Sequence, residues 1–212
     1  MHIKALSAEL IGTFALIFIG AGAGALGIGG LIGVAFAHGL VILALIYTLG
    51  PISGAHLNPA VTFGLLIGGE FKLKHAVVYW TAQLLGGALG AWVLCVALGG
   101  SESGLGATTL ASTVTPARGI LIEAILTFLL MFTIFCTAVS GRGGDQTGIA
   151  IGMILTACIL MGGPLTGASL NPARTFGPAL FTNGFGQFWI YVVGPFAGAA
   201  VAALSYKYIF AK

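Results

Sequence analysis

The chain has 212 residues, of which 58% are hydrophobic and only 6% are charged, and its mean hydropathy is +1.08. Soluble domains carry about 25% charged residues, so this composition excludes an ordinary soluble protein and indicates an integral membrane protein. The net charge of +3 is not concentrated in a basic cluster, and we therefore expect no nucleic-acid partner.

Six segments are apolar enough to cross a bilayer, which takes about 20 mainly apolar residues. The fifth of them is close to the lower limit of that length. The sequence therefore predicts an all-α, multi-pass membrane protein with spans at residues about 5–26, 31–50, 76–98, 118–140, 147–163 and 187–210.

Glycines recur within these spans, as in Gly20-x-Gly22-x-Gly24 of the first. Helices in lipid associate through close packing of small residues, because lipid tails provide no hydrophobic drive for association. We interpret these glycines as helix-packing positions without a chemical role.

Two short segments between the spans, residues 54–64 and 167–177, are nearly identical. In each, Asn-Pro begins an apolar run. Asn is a preferred helix N-cap and Pro suits the first helical position. Only about eight apolar residues follow, too few to cross ~30 Å at 1.5 Å per residue. Each segment therefore predicts a half-helix, and the two copies differ only at His56/Ser169 and Val61/Arg174.

The two halves of the chain share a constant offset, which predicts a tandem repeat. Asn171 lies 113 residues after Asn58, and Glu123 lies 114 residues after Glu9. Each unit holds three spans, so the second unit enters the membrane from the opposite face. Inverted repeats with interrupted helices place their functional site near the midplane, where the half-helix ends meet. The predicted units are residues 1–98 and 118–212, joined by an outer loop over residues 99–117.

The positions of the basic residues predict the orientation. With the N-terminus inside, six of the eight Lys and Arg residues lie on the cytoplasmic side, in agreement with the positive-inside tendency. Both termini are then cytoplasmic, and we expect the outer loop to lie against the pore mouth. The six inner residues are Lys4, Lys72, Lys74, Arg142, Lys207 and Lys212; Arg118 lies at an outer end and Arg174 within the second half-helix.

The irregular segments beside the half-helices, residues 51–57 and 164–170, are the first candidates for a functional role. Non-helical backbone at membrane depth must be buried in protein or line a water-filled cavity. In a cavity, the amides of Asn58 and Asn171 would supply donors where the two positive helix ends repel cations and protons. The expected acceptors are the carbonyls of Gly54, Ala55, His56, Gly167, Ala168 and Ser169.

Three ionisable residues fall within the apolar segments. Glu9 and Glu123 are expected to be structural carboxylates that accept hydrogen bonds from the irregular segments, with pore contact as the lesser alternative. Arg174 stands one turn into the second half-helix, where an unpaired charge is costly enough to indicate a function. We interpret it as pore-lining rather than as a packing or ion-pair residue. No nucleophile or metal-ligand spacing appears, so we expect neither an enzyme, a metal site nor a cofactor.

The chain resembles the aquaporins, the major intrinsic protein family, over essentially its whole length. The resemblance implies six tilted helices and two half-helices meeting at the midplane, a homotetramer in membrane lipid, and a pore in each subunit for water and small neutral solutes. It rests on two Asn-Pro-Ala boxes, Asn58-Pro59-Ala60 and Asn171-Pro172-Ala173, and on Ala8-Glu9, Ala82-Gln83, Gly86, Glu123 and Gly194-Pro195.

The resemblance also implies an outer selectivity filter. Strict water channels commonly carry Phe and His where this chain has His38 and Ile159, so the set is more similar to that of plant tonoplast aquaporins. A buried, hydrogen-bonded core group is the alternative for His38. Thr175 stands where glycerol facilitators carry an acidic residue, which favours the water-channel branch. The four filter residues are His38, Ile159, Ala168 and Arg174.

The main interpretation is a passive water channel, with ammonia or other small neutral solutes as possible further substrates, in the cell (inner) membrane. A facilitator of glycerol or small polyols is the first alternative. A coupled secondary transporter shares the inverted repeat but lacks an acidic residue in either half-helix to bind a coupling ion. A structural membrane protein with a closed pore is the remaining alternative.

Overall fold

The computed structural model describes residues 3–211. Over this range it contains six membrane-spanning helices, two shorter helices and no strand, which confirms the predicted all-α membrane fold. The predicted cytoplasmic position of Lys212 lies outside the described residues. The helices are α1 (Ile3–Ala25), α2 (Gly30–Ser53), α3 (Pro59–Gly68), α4 (Leu73–Leu98), α5 (Pro116–Val139), α6 (Gly144–Thr166), α7 (Pro172–Thr182) and α8 (Gly184–Phe210).

The second span was predicted to end at about residue 50, with Pro51 as the first residue of the irregular segment, and this was wrong. Helix α2 continues through Pro51 to Ser53. Pro51 has no backbone N–H, so the helix loses one hydrogen bond there. The next turn still forms, because the backbone N of Gly54 donates to the Gly50 carbonyl at 2.9 Å. Gly54 then ends the helix in the left-handed conformation, at φ 86°.

The same correction applies to the fifth span. Helix α6 continues through Pro164 to Thr166, and the backbone N of Gly167 donates to the Gly163 carbonyl at 3.0 Å. Gly167 is again left-handed, at φ 77°. The fifth span therefore has 23 residues, and the irregular segments shrink to residues 54–58 and 167–171.

Each half-helix packs against the last span of the other half of the chain. Helix α3 lies against α8, and α7 lies against α4. The contact between α7 and α4 is one of backbone on backbone: a Cβ at Gly87 would lie 2.6 Å from the Ala173 carbonyl oxygen. Only glycine permits this approach, which fixes the depth of α7 in the bundle.

The outward faces of the spans carry large apolar side chains. Ile11, Ile32, Leu85 and Leu121 are each more than half exposed. Exposed apolar surface on this scale marks a face that contacts lipid or another membrane protein. The chain is therefore an integral, multi-pass membrane protein.

The loop between α4 and α5 lies against α6 and α7. Leu105 is fully buried, and the backbone N of Ala111 donates to the Leu165 carbonyl at 2.9 Å. The hydroxyls of Thr108 and Thr175 are 2.7 Å apart. These contacts bring the loop next to the start of α7.

Candidate pore between two half-helices

An asparagine starts each half-helix, as the sequence predicts. Asn58 has extended backbone (φ −158°, ψ 121°), and its Oδ1 accepts from the Ala60 backbone N at 2.8 Å. Oδ1 of Asn171 accepts from the backbone N of Ala173 at 2.9 Å and of Arg174 at 3.2 Å. The asparagine oxygens thus satisfy N–H groups that would otherwise be orphaned in the first turn.

The same two side chains join the half-helices to each other. Asn58 Nδ2 donates to the Leu170 carbonyl at 2.8 Å, and Asn171 Nδ2 donates to the Leu57 carbonyl at 2.9 Å. A carboxamide has two N–H donors, so each asparagine keeps one for the cavity that both of them line. The N-termini of α3 and α7 therefore meet, and two donors are available at the junction.

The irregular segments hold an unfavourable backbone conformation at equivalent points. Ala55 and Leu57 have φ of 47° and 51°, and Ala168 and Leu170 have φ of 45° and 54°. Non-glycine residues pay of order 1–3 kcal/mol for such conformations, which persist only when the surroundings enforce them and which cluster at functional sites.

In the first half, Glu9 enforces this conformation. Its Oε1 accepts from Ser53 Oγ at 2.7 Å and from the His56 backbone N at 2.9 Å. Its Oε2 accepts from the Leu57 backbone N at 2.7 Å and from Gln83 Nε2 at 2.8 Å. Glu9 is fully buried, and its four hydrogen bonds offset the cost of removing the carboxylate from water. The same bonds hold the irregular segment to α1.

In the second half, Glu123 occupies the equivalent place. Its Oε1 accepts from Thr166 Oγ1 at 2.7 Å and from the Ser169 backbone N at 2.9 Å. Its Oε2 accepts from the Leu170 backbone N at 2.8 Å. Neither Glu123 nor Glu9 lines the cavity, and this placement favours the structural interpretation of both carboxylates.

The difference between His56 and Ser169 follows from their neighbours. The His56 ring lies between the rings of Phe71 and Tyr79, at centroid distances of 4.7 and 5.0 Å, and its Nδ1 is 3.0 Å from Thr62 Oγ1. Ser169 Oγ contacts the equivalent hydroxyl, that of Thr175, directly at 2.7 Å. The imidazole reaches the threonine while filling an aromatic pocket.

A cavity of about 240 Å³ runs beside the junction. Nine of the predicted site residues line it: His38, Gly54, Ala55, His56, Asn58, Ile159, Ser169, Asn171 and Arg174. The other predicted site residues, which are Gly167, Ala168, the two carboxylates and the Pro and Ala of both boxes, do not line it. Ala168 is a buried filter candidate whose methyl group lies behind the lining, 3.3 Å from where a Cβ at Gly162 would stand.

Of the apolar side chains that line the cavity, sequence reasoning named only Ile159. A four-residue spacing along each span could have found the others, because such residues share one face of a helix. The rows are His38, Ile42 and Ile46 on α2, Leu130, Ile134 and Ala138 on α5, and Ile151, Leu155 and Ile159 on α6; Val61 and Leu65 of α3 complete the wall.

His38 and Arg174 carry the polar groups of one end of the cavity. His38 Nδ1 lies 2.9 Å from the Val34 carbonyl, which can only accept, so this nitrogen is the donor and, in the neutral imidazole, Nε2 is an acceptor. Arg174 Nη1 donates to the Gly106 carbonyl at 2.6 Å. Within the described residues, His38 Nε2 and Arg174 Nε have no partner. This end of the cavity therefore holds one unpaired buried acceptor and at least one unpaired N–H donor of the guanidinium.

No group of three or more His, Cys, Asp or Glu side chains within residues 3–211 is placed to hold a metal ion. The chemistry of the site rests on backbone carbonyls, two carboxamides, one imidazole and one guanidinium.

These features define a class of protein: a multi-pass membrane protein in which two half-helices meet at their N-termini beside a mostly apolar cavity, as in a channel. The family model described as "Major intrinsic protein" matches residues 1–206. The chain therefore belongs to the major intrinsic protein family, the aquaporins.

Similar proteins support this assignment. Aquaporin TIP1-2 of Zea mays is 43% identical over 98% of this chain and 86% of its own length. Probable aquaporin TIP3-2 of Arabidopsis thaliana is 42% identical over 98% of this chain and 84% of its own length. The X-ray structure of the aquaglyceroporin from Plasmodium falciparum superposes with a TM-score of 0.89 at 27% identity, covering 99% of this chain and 97% of that one. The predicted similarity to plant tonoplast aquaporins is confirmed.

Proposed function

We propose that the chain is a passive transmembrane channel for water. The observation that carries the proposal is the meeting of Asn58 and Asn171, each bonded to the opposite segment, on the wall of one cavity. The second N–H of each carboxamide can donate to a water molecule that passes the junction.

The irregular segments supply the remaining hydrogen-bond partners for a single file of water molecules. Gly54, Ala55, His56 and Ser169 line the cavity on the same side as the asparagines, and their carbonyls supply acceptors. The facing wall is apolar and holds water weakly. Two helix N-termini with positive dipole ends at the centre disfavour cations and protons. This arrangement suits a small neutral molecule that both donates and accepts hydrogen bonds.

The proposal is tested by stopped-flow light scattering on proteoliposomes after an osmotic step. Vesicles that contain the chain are expected to shrink much faster than empty vesicles. Iso-osmotic gradients of glycerol, urea and ammonia, applied to the same preparation, give the solute range. Shrinkage at the rate of empty vesicles would refute the channel.

We further propose that His38, Ile159 and Arg174, which line the cavity, set the solute range together with Ala168 behind them, with passage of ammonia beside water. Ile159 supports this, because an aliphatic side chain where strict water channels carry His leaves the end of the cavity less polar. A facilitator of glycerol is the second candidate, and it is favoured by the same residue.

Replacing His38 by Phe and Ile159 by His together is expected to narrow and polarise the constriction. Permeability to glycerol and ammonia should fall on the order of tenfold relative to water, as measured in the solute panel. Ile46→His is the matched control, because Ile46 lines the same cavity at its other end and should leave the ratios unchanged. Equal ratios in the double variant and the parent would remove His38 and Ile159 from the filter.

We propose a homotetramer with cytoplasmic termini, in the cell membrane. The exposed apolar faces of the spans support assembly in lipid, and the basic residues near the inner ends support the orientation. Mass photometry of the detergent-solubilised protein tests the assembly: four copies support it, and a monomer at all concentrations contradicts it.

A further inference from the structure

We propose that Gly20, which does not line the cavity, is a positioning residue that sets the width of the constriction by giving the His38 ring its place. This inference rests on the proposed channel and names a specificity determinant on α1. The sequence pattern indicated only helix packing for this glycine.

The His38 ring lies directly on Gly20. A Cβ built at residue 20 would be 2.7 Å from Cδ2, 2.8 Å from Nε2 and 2.9 Å from Cγ of His38. Carbon atoms in good contact are about 3.5–4.0 Å apart, so no side chain fits there. Because the three distances are nearly equal, the ring presents its face, and not its edge, to α1.

The ring can yield in one direction only. Nδ1 is tied to the Val34 carbonyl at 2.9 Å, which restrains the ring along α2. Gly20 is buried behind the ring, whereas His38 lines the cavity. The imidazole therefore separates α1 from the cavity at this depth, and a group added at residue 20 pushes it into the cavity that Arg174 and Ile159 also line.

The local backbone of α1 brings Gly20 to this position. Residues Leu16–Ala21 form a π-helical turn, in which the Gly22 backbone N donates to the Ile17 carbonyl five residues back. A π-turn inside an α-helix is rare and frequent at functional sites. Here the π-turn changes the register of the α1 backbone at Gly20, the residue that supports the His38 ring.

Gly20→Ala is the test, with water permeability of proteoliposomes as the readout. The displaced ring should narrow the constriction and lower water permeability by at least about threefold, with a larger loss for any bigger solute that the parent conducts. Gly22→Ala is the matched control on the same helix. Its Cβ would meet only the δ-methyl groups of Leu94, the nearer at 3.2 Å, and its permeability should equal that of the parent.

A double variant separates positioning from a general packing defect. In a His38→Ala background no ring remains to be displaced, so adding Gly20→Ala should leave permeability unchanged. An equal loss in both backgrounds would overturn the inference, as would an unchanged permeability of Gly20→Ala alone. If Gly20→Ala does not assemble but the double variant does, the clash is with the ring, as proposed. If neither assembles, the clash is with the backbone and the inference is wrong.

The outcomes also separate this inference from the proposed function. A parent chain that conducts no water refutes the channel whatever the variants do. A conducting parent with an unaffected Gly20→Ala variant leaves the channel in place and refutes only the role of Gly20.

Discussion

Glu123→Ala is expected to abolish the assembled protein. The substitution leaves the backbone N–H groups of Ser169 and Leu170 and the Thr166 hydroxyl without their acceptor in the bundle interior. Each unsatisfied buried donor costs about 1–3 kcal/mol. The sum of several kcal/mol is comparable with a typical total stability of about 5–15 kcal/mol. The measurement is the fraction of solubilised protein that elutes as a single folded species, together with its melting temperature.

Three further variants test whether the loss of stability comes from the missing hydrogen-bond acceptor. Glu9→Ala removes the acceptor of four donors and should be at least as damaging. Glu123→Gln keeps one acceptor oxygen and should be intermediate. Glu102→Ala, at an exposed position in the outer loop, should behave as the parent. If Glu123→Ala melts at the parent's temperature, the irregular segment is held by something other than this carboxylate.

Arg174→Val is expected to conduct protons or cations while still conducting water. Arg174 is the charged group at the end of the cavity that His38 also lines, and its field there repels cations. Valine is the matched replacement, because residue 61, at the equivalent position of the first half-helix, is Val61. Proton flux into vesicles that contain a pH-sensitive dye should rise by at least about tenfold, with water permeability equal to or above that of the parent.

Arg174→Lys is the control for charge. A lysine keeps the positive charge but not the planar fork that reaches the Gly106 carbonyl, so cation exclusion should be largely retained. Unchanged exclusion in Arg174→Val would move the barrier to the junction of Asn58 and Asn171 and its two helix dipoles.

The parts of the fold that depend on local chemistry could be predicted from sequence. Asn-Pro before a short apolar run specifies a capped half-helix, and the N-cap geometry of Asn58 and Asn171 agrees with it. The length of the apolar segments fixes the number of spans. The ends of α2 and α6 could not be predicted from Pro51 and Pro164. Each helix ends instead at the glycine three residues later, Gly54 or Gly167.

The parts of the site that depend on packing between helices could not be predicted from the sequence. Nothing in the sequence says that Gly20 supports the His38 ring, since the contact requires a π-turn in one helix and the correct depth of another. Tertiary packing also decides that the methyl group of Ala168 lies behind the cavity lining. The apolar rows that pass through Ile42 on α2 and Leu155 on α6 were accessible through their four-residue spacing, once the cavity was expected to be lined by whole helix faces.

The repeat explains why His38 and Arg174 stand at one end of the cavity without polar counterparts at the other. The offset of 113 residues relates His38 to Ile151, Ile159 to Ile46, and Arg174 to Val61. All three counterparts are apolar and line the cavity. Two similar halves therefore produce an asymmetric cavity, with His38 and Arg174 at one end.

The most direct test of the account measures water and proton flux in one preparation of vesicles. After an osmotic step, vesicles with the parent chain should shrink at least about tenfold faster than empty vesicles, while an imposed pH gradient decays no faster than in empty vesicles. Shrinkage at the empty-vesicle rate, or fast shrinkage accompanied by an equally accelerated proton leak, would contradict a water-selective pore at the junction of the two half-helices.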